Sequence, residues 1–309
     1  MVDTIGIWIS EQSIPHLDLL SELPLLLSSY KEYEDKAGRV YVKGKLGNLT
    51  IKINEEGVSI IGSIPKFMYG NNFQVAHRKA IYQFCEKCSD LLHLNIGKGK
   101  LYRMDIGMNL HTIHKPTLYY PYLGNLNRFK RLEQPDSIRY ENKWRVLVVY
   151  DKQKQTMESR QKVPQAYWGM NILRMEYRLP NTKSIKKHFP FAHQLGELWE
   201  KRVFDLMENS FKDIYYQINK VRAIKIDRAK VTTDNAFARQ LQAIGMDHLG
   251  GYDKTLSLAK EIKQAGYFNC DKSYQRVRTR LKSLQLDYQE SYPNEFIQEL
   301  DTKVNGFTI

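Results

Sequence analysis

The sequence predicts an α+β fold, with an antiparallel sheet flanked by helices over residues 1–194 and a mainly helical domain over residues 195–309. Three observations carry this expectation. Before about residue 180, apolar and polar side chains alternate in short runs separated by Gly and Asn turns, as half-buried strands do. Beyond residue 195 that pattern stops, and apolar residues recur at helical spacing. With 309 residues, 42% of them hydrophobic, the chain is long enough for two cores.

Residues 4–9 (TIGIWI) read as an opening strand, apolar at nearly every position and therefore central. A helical segment is expected over 14–28, its ends blurred by Pro15 and Pro24. Residues 39–44, 49–53 and 58–61 form a meander, with turn chemistry at 45–48 (KLGN) and 54–57 (NEEG). The loop 62–72 (GSIPKFMYGNN) offers glycines and Lys66 to a phosphate, although an ordinary connection explains its composition equally well. A helix follows over 73–92. The stretch 97–100 (GKGK) lacks the hydroxyl residue a phosphate loop places after its lysine, and reads as a helix-to-strand turn.

The strand 101–111 places Tyr102, Met104, Ile106 and Met108 on one face and Arg103, Asp105, Gly107, Asn109 and His111 on the other. A short helical or irregular piece over 116–126 precedes a hairpin of 137–140 with 144–150, and the polar residues 153–165 read as a mobile segment. The last strand, 172–179, turns Arg174, Glu176 and Arg178 to one side and Leu173, Met175, Tyr177 and Leu179 to the other. A long amphipathic helix is then expected over 195–221, with shorter ones over 234–244, 254–265 and 272–284. Gly245, Gly250, Gly251 and Gly266 serve as stops, and Asp253 and Asp271 as starts. The helix 272–284 carries Lys272, Arg276, Arg278, Arg280 and Lys282 without an acid. It reads either as a solvated face or as the DNA-contacting member of a helix-turn-helix-like set.

A formal net charge of +13, with 20 Tyr and 12 Phe, suits a surface that neutralises phosphate and stacks bases, although an anionic membrane would attract the same charge. No apolar run approaches the ~18 residues of a membrane span, and no basic-then-apolar export signal opens the chain. Cys85, Cys88 and Cys270 make no disulfide framework, so a reducing cytoplasm is the expected compartment. Cys85 and Cys88, with His77 and His93, span too many turns of one expected helix for a tetrahedral zinc ion, and read as structural.

The candidate chemistry lies in three short stretches. Residues 147–152 (LVVYDK) end an apolar strand in Tyr150, Asp151 and Lys152. A phenol is a weak nucleophile at neutral pH and needs a nearby cation or metal. Asp105 and Glu176, each inside an alternating run, are hard oxygen ligands suited to Mg²⁺ or Mn²⁺, with His111 as a candidate third. Each acid also has an arginine two positions away, so simple ion pairing explains them as well.

The loop 62–72 and the stretches 103–106 (RMDI), 149–152 (VYDK) and 173–178 (LRMEYR), in that order, resemble the rolling-circle replication initiators of phages and plasmids typified by the filamentous-phage gene II protein. The resemblance covers roughly residues 1–205. It implies that Tyr150 attacks one origin phosphodiester, becoming joined to the 5′-phosphate and freeing a 3′-hydroxyl that primes synthesis. Asp105 and Glu176 would hold the divalent ion, and Lys152 would be the adjacent cation. Lys66, Arg103, Arg174 and Arg178 are expected to contact DNA, joined by Arg276, Arg278 and Arg280 of the helical domain.

Implied partners are single- and double-stranded origin DNA in a bacterial host cytoplasm, with host helicase and polymerase as candidates. Two departures stand out. Gln155 occupies a position where the family's tyrosine motif often carries a glutamate, leaving Glu158 as a substitute. The His111 and His114 spacing puts the two rings on opposite faces of a strand, unlike the His-hydrophobe-His pair of other nickases. The rival readings are a non-catalytic DNA-binding replication or copy-control protein and a metal nuclease that uses water.

Overall fold

The computed structural model describes residues 1–14, 18–220, 228–249, 251–268, 270–287 and 294–306. The strands are β1 (Val2–Ser10), β2 (Ser29–Glu34), β3 (Val40–Leu46), β4 (Leu49–Asn54), β5 (Gly57–Ser63), β6 (Lys100–Thr112), β7 (Leu123–Leu126), β8 (Lys130–Gln134), β9 (Ser137–Glu141), β10 (Val146–Asp151), β11 (Asn171–Leu179) and β12 (Ile218–Lys220). The helices are α1 (Ile64–Tyr69), α2 (Arg78–Leu92), α3 (Lys152–Glu158), α4 (Thr182–His188), α5 (Lys201–Tyr216), α6 (Asp234–His248), α7 (Gly251–Gln264), α8 (Asp271–Asp287) and α9 (Glu295–Asn305). Contacts divide the chain into two units, residues 1–117 with 127–217, and residues 118–126 with 218–306. Helix α5 thus groups with the sheet. No helix of the described residues is long and apolar enough to cross a membrane.

The first unit is built on one antiparallel sheet in the order β2-β3-β4-β5-β1-β6-β11-β10-β9-β8. The opening strand is central, as its apolar composition requires. Ile5, Ile7 and Ile9 of β1, Met104, Ile106 and Met108 of β6, and Leu173, Met175 and Tyr177 of β11 are all buried. Helix α2 turns Ala80, Ile81, Phe84 and Cys88 inward, and burial pushes the Cys88 thiol up to about 12, the state of an inert structural cysteine.

Several elements differ from the sequence expectation. In place of a helix over 14–28, the described residues form turns and a short 3₁₀ turn at Leu23–Leu26 that lead into the edge strand β2, while residues 15–17 lie outside the described chain. Pro24 sits at the start of that turn, where its missing N–H is harmless, and no helix extends from it. The loop 62–72 contains helix α1, capped by Ser63 at one end and by Gly70 in the left-handed conformation at the other. The helix expected from residue 73 begins at Arg78. Residues 153–158, expected to be mobile, belong to α3, which starts at Lys152 with Asp151 as its N-cap. The long helix is α5 alone; β12 follows it, and Val221 lies outside the described residues.

Tyr102 is a correction to the strand pattern. The register between β1 and β6 shifts after Gly6, so both Tyr102 and Arg103 face that glycine. A Cβ there would fall 2.6 Å from the Tyr102 ring and 3.0 Å from Arg103 Cβ. Tyr102 therefore joins Arg103 on the polar side and leaves the face of Met104.

In the second unit, β7 pairs with β12. Helices α6, α7 and α8 enclose Ala243, Met246, Leu281 and Leu284, with Tyr252 and Val277 against them. Gly245 lies inside α6 and does not end it. The α9 side chain Phe296 stacks on Tyr122, with centroids 5.2 Å apart.

The β4–β5 turn fixes the meander to the centre of the sheet. Gly57 has φ of +149°, and a Cβ there would lie 2.1 Å from the Ile9 carbonyl oxygen. Gly57→Ala is expected to cost on the order of 2–4 kcal/mol, read as a lower denaturant midpoint at unchanged slope. An unchanged midpoint would contradict the β1–β5 register.

Candidate active site

Strands β10, β11 and β6 lie side by side, and their register decides which polar residues meet. Tyr150 stands opposite Arg174, which stands opposite Asn109; one step along, Glu176 faces Gly107; one further, Arg178 faces Asp105. Directly opposed residues share a face, so three distant stretches of sequence converge on one polar surface. Asp151 ends β10 by accepting a hydrogen bond from the Lys154 backbone N–H at 3.1 Å, which places Lys152 in the first turn of α3.

The Tyr150 hydroxyl donates to Glu176 Oε1 at 2.5 Å. Arg174 Nε donates to the same oxygen at 2.8 Å, and Arg178 Nη2 and Nε donate to Oε2 at 2.6 and 3.0 Å. Arg174 is 1% exposed, and its remaining donors reach Asp3 Oδ2 (2.7 Å), Asn109 Oδ1 (2.8 Å) and the Asn72 carbonyl (3.3 Å). Asp3 in turn accepts from the Ser63 hydroxyl at 2.6 Å. Gly107 makes room for the guanidinium, since a Cβ there would lie 2.7 Å from Arg174 Nη2.

These contacts set the protonation states. Burial alone would raise the Glu176 carboxyl, but Arg174 and Arg178 outweigh it and hold the group well below the usual range. Burial pushes the Tyr150 phenol well up, Arg174 opposes the shift and Glu176 adds to it, so the phenol is protonated and hydrogen-bonded to an ionised acceptor. Burial brings Lys152 down to about 7, helped by the charge of Arg174 and opposed by that of Asp3. Its ammonium lies over the Phe73 ring, 5.3 Å from the centroid, and donates to Gln155 Oε1 at 3.2 Å. Asp105 takes a two-point bond from Arg103, at 2.7 and 3.1 Å, although burial still raises its pKa on balance.

A resident divalent ion does not fit this donor set as it is arranged. The carboxylates of Asp3, Asp105 and Glu176 are matched by the guanidinium groups of Arg174, Arg103 and Arg178, so no net negative charge is left to attract a cation. No three ligating side chains converge on one point among the described residues. His111 is exposed and lies six residues along β6 from Asp105, about 20 Å of extended strand, so the two do not share an ion. Its ring lies 6.2 Å from that of Tyr167.

Beside the network is an open cleft of about 520 Å³ lined by Tyr150, Asp151, Gln155, Glu158, Val148 and Arg178. Arg178, 29% exposed, and Arg103, 34% exposed, are the network's accessible cations, whereas Arg174 is enclosed. Lys66 donates to Gln161 at 3.1 Å and lines a second cleft of about 410 Å³ with Asn71, Asn72, Thr156 and Lys162. Arg276, Arg278 and Arg280 belong to the second unit and are exposed on α8, where Arg280 donates to Gln242 at 3.0 Å.

Asp3, Ser63, Asn72, Asn109 and Gly107 were not singled out as site residues by sequence reasoning. The usable signals were Gly107 and Asn109 on the face of Asp105, since a glycine within a polar row marks a close approach, and the loop 62–72, which holds Ser63 and Asn72. Nothing local marks Asp3, which meets Arg174 across 171 positions.

The family model for the N-terminal region of the phage replication-associated protein, the gene II protein, matches residues 26–198, a span that holds Tyr150, Glu176, Arg174 and Asp105. A search of curated proteins finds no match.

Lys152 yields a stability test. Between about pH 7 and pH 10.5 the unfolded chain keeps a proton that the folded chain has shed, so this group makes stability rise with pH across that window. Lys152→Met removes that rise. The variant is expected to exceed the parent near pH 6.5 by on the order of 3 kcal/mol and to converge on it towards pH 10, as measured by denaturant unfolding. A pH-independent difference would exclude a buried lysine of lowered pKa.

Proposed function

The chain belongs to the phage replication-associated protein family of the gene II type, and from that premise we propose that it starts rolling-circle DNA replication by nicking one strand of an origin with Tyr150. The observation that carries this reading is the 2.5 Å bond from the Tyr150 hydroxyl to a carboxylate held ionised by two arginines, at the wall of an open cleft. That distance is within reach for proton transfer from an attacking hydroxyl.

In the proposed step the Tyr150 oxygen bonds to phosphorus and its proton passes to Glu176 Oε1. The bond from phosphorus to the 3′ oxygen breaks, and that oxygen leaves as a hydroxyl after taking up a proton. Glu176 is a weak base because its arginines depress it, so the proton moves only as the oxygen–phosphorus bond forms and acidifies the phenol. Arg178, accessible in the cleft, neutralises charge on the pentavalent phosphorus. Arg174 positions Glu176, and Asp3, Asn109 and Gly107 position Arg174. Lys152 supplies a cation that titrates near neutral pH.

The test is incubation of the purified chain with supercoiled DNA of its own element, with Mg²⁺, Mn²⁺ or chelator, followed by denaturing gels. A nick with a 5′ protein–DNA adduct is expected, abolished in Tyr150→Phe and reduced on the order of a hundredfold or more in Glu176→Gln. Nicks without adduct would replace this reading with a water-using nuclease. Binding without nicks would replace it with a non-catalytic replication or copy-control protein.

For duplex contact we propose the outer face of α8. Tyr274, Leu281 and Leu284 are buried with Val277 half-buried, which leaves Lys272, Gln275, Arg276 and Thr279 outward. Arg276 and Arg280, four apart, share a side that Arg278 does not. Replacing Lys272 and Arg276 together by Ala is expected to shallow the dependence of log affinity on log salt by about 2 for origin duplex. An unchanged slope in a salt titration would remove α8 from the interface.

A further inference from the structure

The sheet has a second polar region, far from Tyr150, that the proposed chemistry does not use. The register across β2, β3, β4 and β5 aligns Lys31 with Lys43, Lys43 with Lys52, Lys52 with Ser59, and Tyr33 with Tyr41. Directly opposed and alternate residues share a face, so Lys31, Tyr33, Tyr41, Lys43, Lys45, Lys52 and Ser59 lie together. On the opposite face, Val42, Ile51, Ile53, Val58 and Ile60 of β3–β5 are buried, whereas Tyr30, Glu32 and Glu34 of the edge strand β2 are exposed.

The exposed face has an ordered aromatic core. The rings of Tyr33 and Tyr41 stack with centroids 5.3 Å apart and planes 14° from parallel, and the Lys52 ammonium lies 4.1 Å from the Tyr41 centroid. Tyr33 is 42% exposed. Lys31 and Lys43 are exposed beside it, and within these four strands the face carries no carboxylate. Lysines on an edge strand also discourage pairing with other chains, but that purpose needs no stacked rings.

This face continues to the Tyr150 network. Ser59 stands opposite Trp8 of β1, and its hydroxyl shares a 2.9 Å hydrogen bond with that of Tyr102. Tyr102 lies over Gly6 beside Arg103, Arg103 binds Asp105, and Asp105 stands opposite Arg178. From β2 to β11 the path crosses six strand spacings, about 29 Å.

We propose that the outer face of β2–β5 is a binding track for single-stranded DNA, in which Tyr33 stacks bases with Tyr41 behind it and Lys31, Lys43 and Lys52 neutralise phosphates. The occupant is single-stranded because an aromatic ring needs an unpaired base face to stack on, and a duplex offers none along its length. The proposal rests on the nickase reading for its purpose, which is to hold the strand leading to or from Tyr150. The binding itself is independent of that chemistry.

The test uses the full chain carrying Tyr150→Phe, so that no adduct forms, and a fluorescein-labelled oligothymidylate read by anisotropy over a series of salt concentrations. Tyr33→Ala with Tyr41→Ala is expected to weaken binding on the order of tenfold or more while the circular dichroism spectrum is retained. Lys43→Gln with Lys52→Gln is expected to shallow the salt dependence by about 1.4, and affinity for a blunt duplex should change little in either variant. Absent oligothymidylate binding, binding unchanged by the tyrosine pair, or equal loss for duplex and single strand would each overturn the track. If the unmutated chain forms no adduct on its element DNA while these affinities still fall, the nickase reading fails and the track stands.

Discussion

The burial of the Arg174 guanidinium is the constraint on which the rest of the site depends. A guanidinium has no neutral form available near physiological pH, so enclosing it at 1% exposure obliges the surrounding structure to supply acceptors. They come from four places: Asp3 on β1, Asn109 on β6, Glu176 on β11 and the Asn72 carbonyl before α2. Each acceptor ties its element to the others. A slip of one residue between β6 and β11 would turn Asn109 to the apolar face and set a bulkier side chain where Gly107 clears the guanidinium.

The same ion explains the state of Tyr150. By fixing and ionising Glu176, Arg174 creates the acceptor to which the phenol donates, and together with Arg178 it makes that acceptor weakly basic. The resting site is therefore a closed, charge-neutral set of hydrogen bonds. In the proposed reaction, a phosphate entering the cleft would compete for the accessible Arg178, and loosening its hold on Glu176 would make the carboxylate a better base. On that reading, substrate binding and proton acceptance would be coupled through one carboxylate.

The sheet separates two roles by its faces. From β3 through β11 one face is apolar and buried; the other carries the Tyr150 network near β10 and β11 and the lysine and tyrosine array out to β2. The bulge at Tyr102 joins the two polar regions, because it turns an aromatic ring onto a face where strict alternation would have placed only Arg103. The helical unit carries a further cationic surface, the exposed basic side chains of α8.

The sequence by itself determined the α+β class, the antiparallel meander and the face on which Asp105, Glu176 and Arg178 lie, because a period of two in side-chain polarity is a local property of a strand. It also marked Tyr150 at a strand end. It misjudged residues 14–28, where Pro24 opens only a short 3₁₀ turn, residues 153–158, where an Asp151 cap outweighed composition, and Tyr102, where a bulge broke the alternation. Only the tertiary structure decided what each charge meets. Alternation says which way a side chain points but not which strand lies beside it. The partnership of Asp3 with Arg174 and the enclosure of both acids by arginines follow from strand order and register, which are set by hydrogen bonding between segments far apart in the chain.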